Sequence, residues 1–134
     1  MTRSKSEGEE MAGEQNLEIA RRAYAAFSAG DVEGAMQNMS EDIVWITPGN
    51  SAISGTLRSR EEVGELWAKL AEKGFTTSPQ FWFSDEDRVV VLTQTTVAGE
   101  HADQADVLTY RDGKLIRFQS AGDTALLERV FGSA

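Results

Sequence analysis

The chain has no cysteine, one histidine and two prolines in 134 residues. Without cysteine there is no disulfide and no thiolate zinc site. With His101 as the lone histidine, a transition-metal site lacks a ligand set. His101 sits in a Gly-Glu-His turn and reads as solvated. No metal and no cofactor are therefore expected. Positive charge is also scarce. The 13 Lys and Arg against 22 Asp and Glu leave a net charge of −9, which argues against a nucleic-acid phosphate backbone as partner. There is no glycine-rich nucleotide loop. The apolar runs are too short for a transmembrane helix, so no membrane partner is expected. The N-terminal stretch MTRSKSEGEEMAGEQ lacks the apolar core of a signal peptide, and the expected location is the cytoplasm.

What is present suits one globular domain. The hydrophobic fraction of 40% is ordinary for a packed core. Residues 1–13 are polar and charged and read as a disordered tail, leaving 14–134 as the domain. Leu17, Ala20, Tyr24 and Phe27 recur at helical spacing, with Ile19 and Ala23 beside the stripe, predicting a helix over 14–29 with Tyr24 and Phe27 in the core. Gly30 ends it and Asp31 caps a short helix reaching Met39. A strand over 43–47 is broken by Pro48-Gly49-Asn50, and 51–57 reads as a loop. Ser59 and Glu62 form a capping box for a third helix, whose stripe is Val63, Leu66, Trp67 and Leu70, ended by Gly74.

From there the pattern is β. A strand over 80–84 begins after Pro79, a residue suited to strand entry or an edge. It holds Phe81 and Trp82, one for the core and one for an interface. A charged turn, 85–88, leads to a Val- and Thr-rich strand over 89–98, then a turn at 99–102. The stretch DQADVLTYRDGKLIRFQSAGD, 103–123, reads as a hairpin with Asp112-Gly113 at its tip. Asp123 caps a last helix over 124–131. Helices first and a strand meander after them predict an α+β domain, with a curved antiparallel sheet wrapped on the long N-terminal helix. Curvature leaves a hollow between sheet and helices, where small ligands sit.

Asp106 lies mid-strand in that hairpin, so it either faces water or marks a site, because a buried unpaired carboxylate is costly. Two registers are open. A two-residue turn pairs Arg111 with Lys114 and puts Asp106 on the face opposite Ile116 and Phe118. A three-residue turn pairs Tyr110 with Lys114 and puts Asp106, Leu108, Ile116, Phe118 and Ser120 on one face.

The segments ARRAYAAFSAGDVEGAM (20–36), MSEDIVWITPG (39–49), ISGTLRSREEV (53–63) and LTYRDGKLIRF (108–118) together resemble the SnoaL-like branch of the nuclear transport factor two-like superfamily. The resemblance spans about 14–131. It implies a cone-shaped α+β fold that dimerises through the outer face of its sheet, and it favours the three-residue turn. Relatives in the branch include ketosteroid isomerases, polyketide cyclases and limonene epoxide hydrolases. Against the isomerases, Asp106 matches the protonated aspartate that donates to an oxyanion. Ala23 stands at the isomerase tyrosine, with Tyr24 one residue on, and Thr47 stands at the catalytic base, so the catalytic set is incomplete. Against the epoxide hydrolases, Gln104 replaces an arginine.

The expected site is therefore a small-molecule pocket with Asp106 as its acid/base group. Ala23, Phe27, Trp45, Thr47, Trp67, Gln94, Leu108, Phe118 and Ser120 form its wall. A neutral Asp106 would donate to a carbonyl or enolate oxygen of an apolar, ring-containing ligand, in isomerase- or cyclase-type chemistry. The alternative is a non-catalytic binding or dimerisation module of the same fold, in which Gln94 or Ser120 merely satisfies Asp106. A hollow plugged by Trp45, Trp67 and Phe118 would favour that alternative.

Overall fold

The computed structural model describes residues 7–134. In chain order the elements are α1 (Glu7–Ser28), α2 (Val32–Met36), β1 (Met39–Thr47), β2 (Gly55–Leu57), α3 (Arg60–Glu72), β3 (Thr76–Asp85), β4 (Arg88–Val97), β5 (Glu100–Arg111), β6 (Lys114–Ala121) and α4 (Thr124–Phe131). The class is α+β. One six-stranded sheet, curved and unclosed, runs in the order β2-β1-β6-β5-β4-β3. All neighbours are antiparallel except β1 and β6, which are parallel.

The local signals act where the sequence places them. Gly30, at φ 78°, carries the chain out of α1, where the Asp31 N–H donates to the Ala26 carbonyl. The Asp31 carboxylate then accepts from the Gly34 N–H as the α2 cap, and α2 ends at Met36, three residues short of expectation. Ser59 accepts from the Glu62 N–H as the α3 cap, and the Glu62 carboxylate accepts in return from the N–H of Arg58, one residue before the cap. Asp123 caps α4 through the Leu126 N–H.

Two differences lie in the helical half. Helix α1 starts at Glu7, seven residues before the expected start at residue 14, so the expected tail is described only from its second half onward and is helical there. The helix docks on the β3–β4 turn, where the Asn16 side-chain amide donates to the Glu86 carbonyl. The expected 51–57 loop contains β2, whose Gly55, Thr56 and Leu57 pair with Thr47, Ile46 and Trp45.

The β5–β6 hairpin follows neither expected register in full. Arg111 pairs with Lys114 across a two-residue turn, and both Asp112 (φ 50°) and Gly113 (φ 75°) are left-handed, as a type I′ turn requires. A bulge at Ile116 then shifts the ladder, so that Thr109 faces Arg117, Leu108 faces Phe118 and Asp106 faces Ser120. The bulge delivers Asp106, Leu108, Phe118 and Ser120 to the inner face, the outcome expected from the longer turn. Leu115, not Ile116, joins them there: it is 8% exposed.

The core fills the space between the inner face and the helices. Ala20 from α1, Val63, Leu66 and Trp67 from α3, and Ile43, Trp45, Val89, Val91, Leu108 and Phe118 from the sheet are all buried. Among the described residues no helix is long and apolar enough to cross a membrane.

Candidate functional site

Asp106 sits at the middle of β5, between Val91 of β4 and Ser120 of β6, and is 3% exposed. A carboxylate this deep needs partners, and it has two. The Tyr24 hydroxyl donates to Oδ2 at 2.6 Å, and the Gln104 side-chain amide donates to Oδ1 at 2.7 Å. Gln104 reaches it because residues two apart on a strand share a face. Tyr24 reaches it from α1, where Ala20, Tyr24 and Phe27 form the stripe that faces the sheet. The Tyr24 ring is fixed edge-on against Trp82 of β3, with ring centroids 5.2 Å apart.

These contacts set the electrostatics. Burial pushes the Asp106 carboxyl up to about 6, while the two hydrogen bonds pull against that rise. Burial and then the negative charge of Asp106 hold the Tyr24 phenol well above its ordinary value. Tyr24 therefore stays protonated and keeps donating. Both oxygens of Asp106 accept, so the arrangement is complementary to the carboxylate, not to the neutral acid expected from the isomerase resemblance. With a value near 6, about one molecule in ten carries the proton at pH 7.

A cavity of about 120 Å³ lies beside Asp106. Every expected wall residue except one lines it: Ala23, Phe27, Trp45, Thr47, Trp67, Leu108, Phe118 and Ser120, together with Asp106. Gln94 does not. On β4 the buried residues are Val89, Val91, Thr93, Thr95 and Val97, so the period of two sends Gln94 to the outer, exposed face. Gln104 takes the place expected of Gln94. The signal for it in the sequence is its spacing of two from Asp106. Tyr24 reads from its spacing as core packing, and no local signal distinguishes a core tyrosine from one whose hydroxyl meets a carboxylate 82 residues away.

Aromatic rings build the apolar wall. Trp45 and Phe118 stack with centroids 3.7 Å apart and planes 14° apart, and Trp67 stands edge-on to both Trp45 and Phe27. These rings narrow the hollow without closing it off from Asp106. Helix α4 contributes Leu127 to the lining. Among the described residues, no Lys, Arg or His lines the cavity. His101 is exposed on the β4–β5 hairpin, its ring 2.9 Å from the Thr96 hydroxyl. Among the described residues no group of three His, Cys, Asp or Glu could hold a metal ion.

The same architecture occurs in known proteins. An uncharacterised protein of Mycobacterium tuberculosis is 27% identical over 116 residues, covering 80% of this chain and 88% of its own. Bal32a, from a soil-derived mobile gene cassette, superposes with a TM-score of 0.83 at 26% identity, over 90% of this chain and 98% of its own. TerC, crystallised with polyporic acid, superposes with a TM-score of 0.78 at 27% identity, over 89% and 99%. The family model of the SnoaL-like domain matches residues 20–118, a span that holds α1 from Ala20, the Asp106 strand and the stacked Trp45–Phe118 pair, and the chain accordingly belongs to the SnoaL-like family.

Proposed function

We propose that this chain is a small-molecule pocket protein whose cavity takes an apolar, ring-containing ligand, with Asp106 as its acid/base group. The observation that carries the reading is a buried carboxylate beside an aromatic-walled cavity, held by Tyr24 and Gln104 and titrating near 6. A base that is mostly ionised at pH 7, yet far more basic than an ordinary aspartate, is suited to taking a proton and returning it. Tyr24 and Gln104 orient the carboxylate and stabilise its charge. Thr47, at the isomerase base position, cannot act as a base near neutral pH, so Asp106 is the proton acceptor in this scheme. The co-crystal of TerC with polyporic acid supports a small organic ligand in this fold.

The test is a melting-point screen of ring compounds against wild type and Asp106→Asn, since a ligand that binds only the folded state raises its melting point. Stabilisation of wild type with loss of any turnover in the variant supports the reading. Equal turnover by both proteins removes Asp106 from the chemistry.

A second reading is a non-catalytic binding or dimerisation module. The packing of Trp45, Trp67 and Phe118 on one another favours it, because the rings narrow the hollow beside Asp106. In either case we propose a homodimer through the outer face of the sheet. Phe81 pairs with Leu92 and Val90 with Val107 on that face, and Phe81, Phe83, Leu92 and Val107 are exposed.

A further inference from the structure

We infer that the cavity prefers a single-ring ligand carrying a hydroxyl or amino hydrogen-bond donor over both anions and ligands whose only polar group is a carbonyl. The inference rests on the proposed reading of the cavity as a ligand site and specifies its occupant.

Hydrogen-bond capacity comes first. A carboxylate offers about four lone-pair sites, and Asp106 receives one bond on each oxygen. Acceptor capacity is therefore left over. The donors that reach it are committed: the single O–H of Tyr24 and one N–H of Gln104 are spent on Asp106, which leaves the second Gln104 N–H and the Thr47 and Ser120 hydroxyls as the other lining donors. A ligand carbonyl brought to Asp106 would meet an acceptor with an acceptor. A ligand O–H or N–H would complete the shell.

Charge points the same way. The titratable lining groups are Asp106 and Tyr24, with the buried Tyr110 phenol also close enough to act on Tyr24, and among the described residues no Lys, Arg or His lines the cavity. An anion would face a carboxylate with no cation to offset it. A neutral hydroxyl and a protonated amine both fit, the second with added attraction from the ring faces of Trp45, Trp67 and Phe118.

Size sets the rest. A cavity of about 150 Å³ accommodates benzene, so the 120 Å³ beside Asp106 is of single-ring scale. The aromatic wall contacts the ring, and the donor meets the carboxylate.

The experiment uses the full chain with four single-ring probes: benzyl alcohol, benzylamine, acetophenone and benzoate. Dissociation constants are measured by ligand-observed NMR at pH 7.5. The expected result is that at least one donor probe binds about tenfold tighter than acetophenone, with benzoate weakest. Comparing the alcohol with the ammonium separates a neutral donor from a charged one. In Asp106→Asn the tenfold gap should close. Should that variant fail to fold, wild type alone suffices: carboxyl-carbon NMR should show the donor probe lowering the Asp106 titration midpoint. Acetophenone binding as tightly as both donors, or benzoate binding best, overturns the inference and leaves the cavity a ligand site. If no probe binds, the inference is overturned, and the ligand-site reading is decided separately by the melting-point screen of ring compounds.

Discussion

The Tyr24 hydroxyl lies 2.6 Å from Asp106 Oδ2, and so joins the N-terminal helix to the middle of the sheet across 82 residues of sequence. It is a charge-assisted bond to a buried group, of the class whose loss costs about 1.5–3 kcal/mol. Tyr24→Phe keeps the ring and its contact with Trp82 but removes the donor. Chemical denaturation at pH 7.5 should show a loss in that range. The Asp106 midpoint, followed by carboxyl NMR, should rise above 6, because a bond that stabilised the charged form is gone.

Asp106 makes the protein less stable as pH rises. Its folded value, about 6, exceeds the ordinary 3.8, so between those values the folded state holds a proton that the unfolded chain has released. Stability from this group is therefore greatest below about pH 4 and is lost as pH climbs through 6. The rise from 3.8 to about 6 corresponds to a penalty on the order of 3 kcal/mol at pH 7.5. Asp106→Asn removes the charge. Its amide can still accept from Tyr24, and a turned Gln104 amide can accept from it. The variant should be more stable than wild type at pH 7.5, and its stability should change less between pH 4 and 7. Denaturant midpoints across that range check both statements. A gain in stability from removing the proposed acid/base group is the expected exchange of stability for activity.

The two tyrosines of the chain, Tyr24 and Tyr110, are both pushed above their ordinary value by burial. The folded protein should therefore show little phenolate absorbance at pH 10–11, where an exposed tyrosine ionises. Since the folded state keeps protons that the unfolded chain loses there, stability falls as pH rises past 10. Phenolate absorbance and loss of circular dichroism should then appear in one transition.

Local chemistry made most of the scaffold readable. Caps at Asp31, Ser59 and Asp123 and left-handed glycines at 30 and 74 marked boundaries because each acts on its own neighbours. β2 escaped because its three residues, Gly55, Thr56 and Leu57, owe their conformation to β1 and not to their own propensity. The site divided in the same way. The strand partners of Asp106 on its inner face followed from residue spacing once the face was chosen. Gln94 was misplaced because a parity choice on β4 moves every side chain to the other face. The Tyr24–Asp106 bond depends on how α1 sits over the sheet, which is a property of tertiary packing. The charge state of Asp106 follows from that same packing: two donors make it a proton acceptor, where the isomerase resemblance implied a donor.

The outer face of the sheet yields the last prediction. Phe81 is 61% exposed and Phe83 55%, in the second half of β3, with Leu92 and Val107 continuing the surface across β4 and β5. Aromatic residues contribute most when they occupy the dry centre of an interface. Charges placed there should be buried unpaired in the dimer and solvated in the monomer, so they act on association alone. Sedimentation equilibrium should give a dimer for wild type and a monomer for Phe81→Glu, Leu92→Glu. The Asp106 titration midpoint should stay near 6 in the variant, because Phe81 and Leu92 point away from the face that carries the carboxylate. A wild type that sediments as a monomer would show instead that this surface is not covered by a second copy.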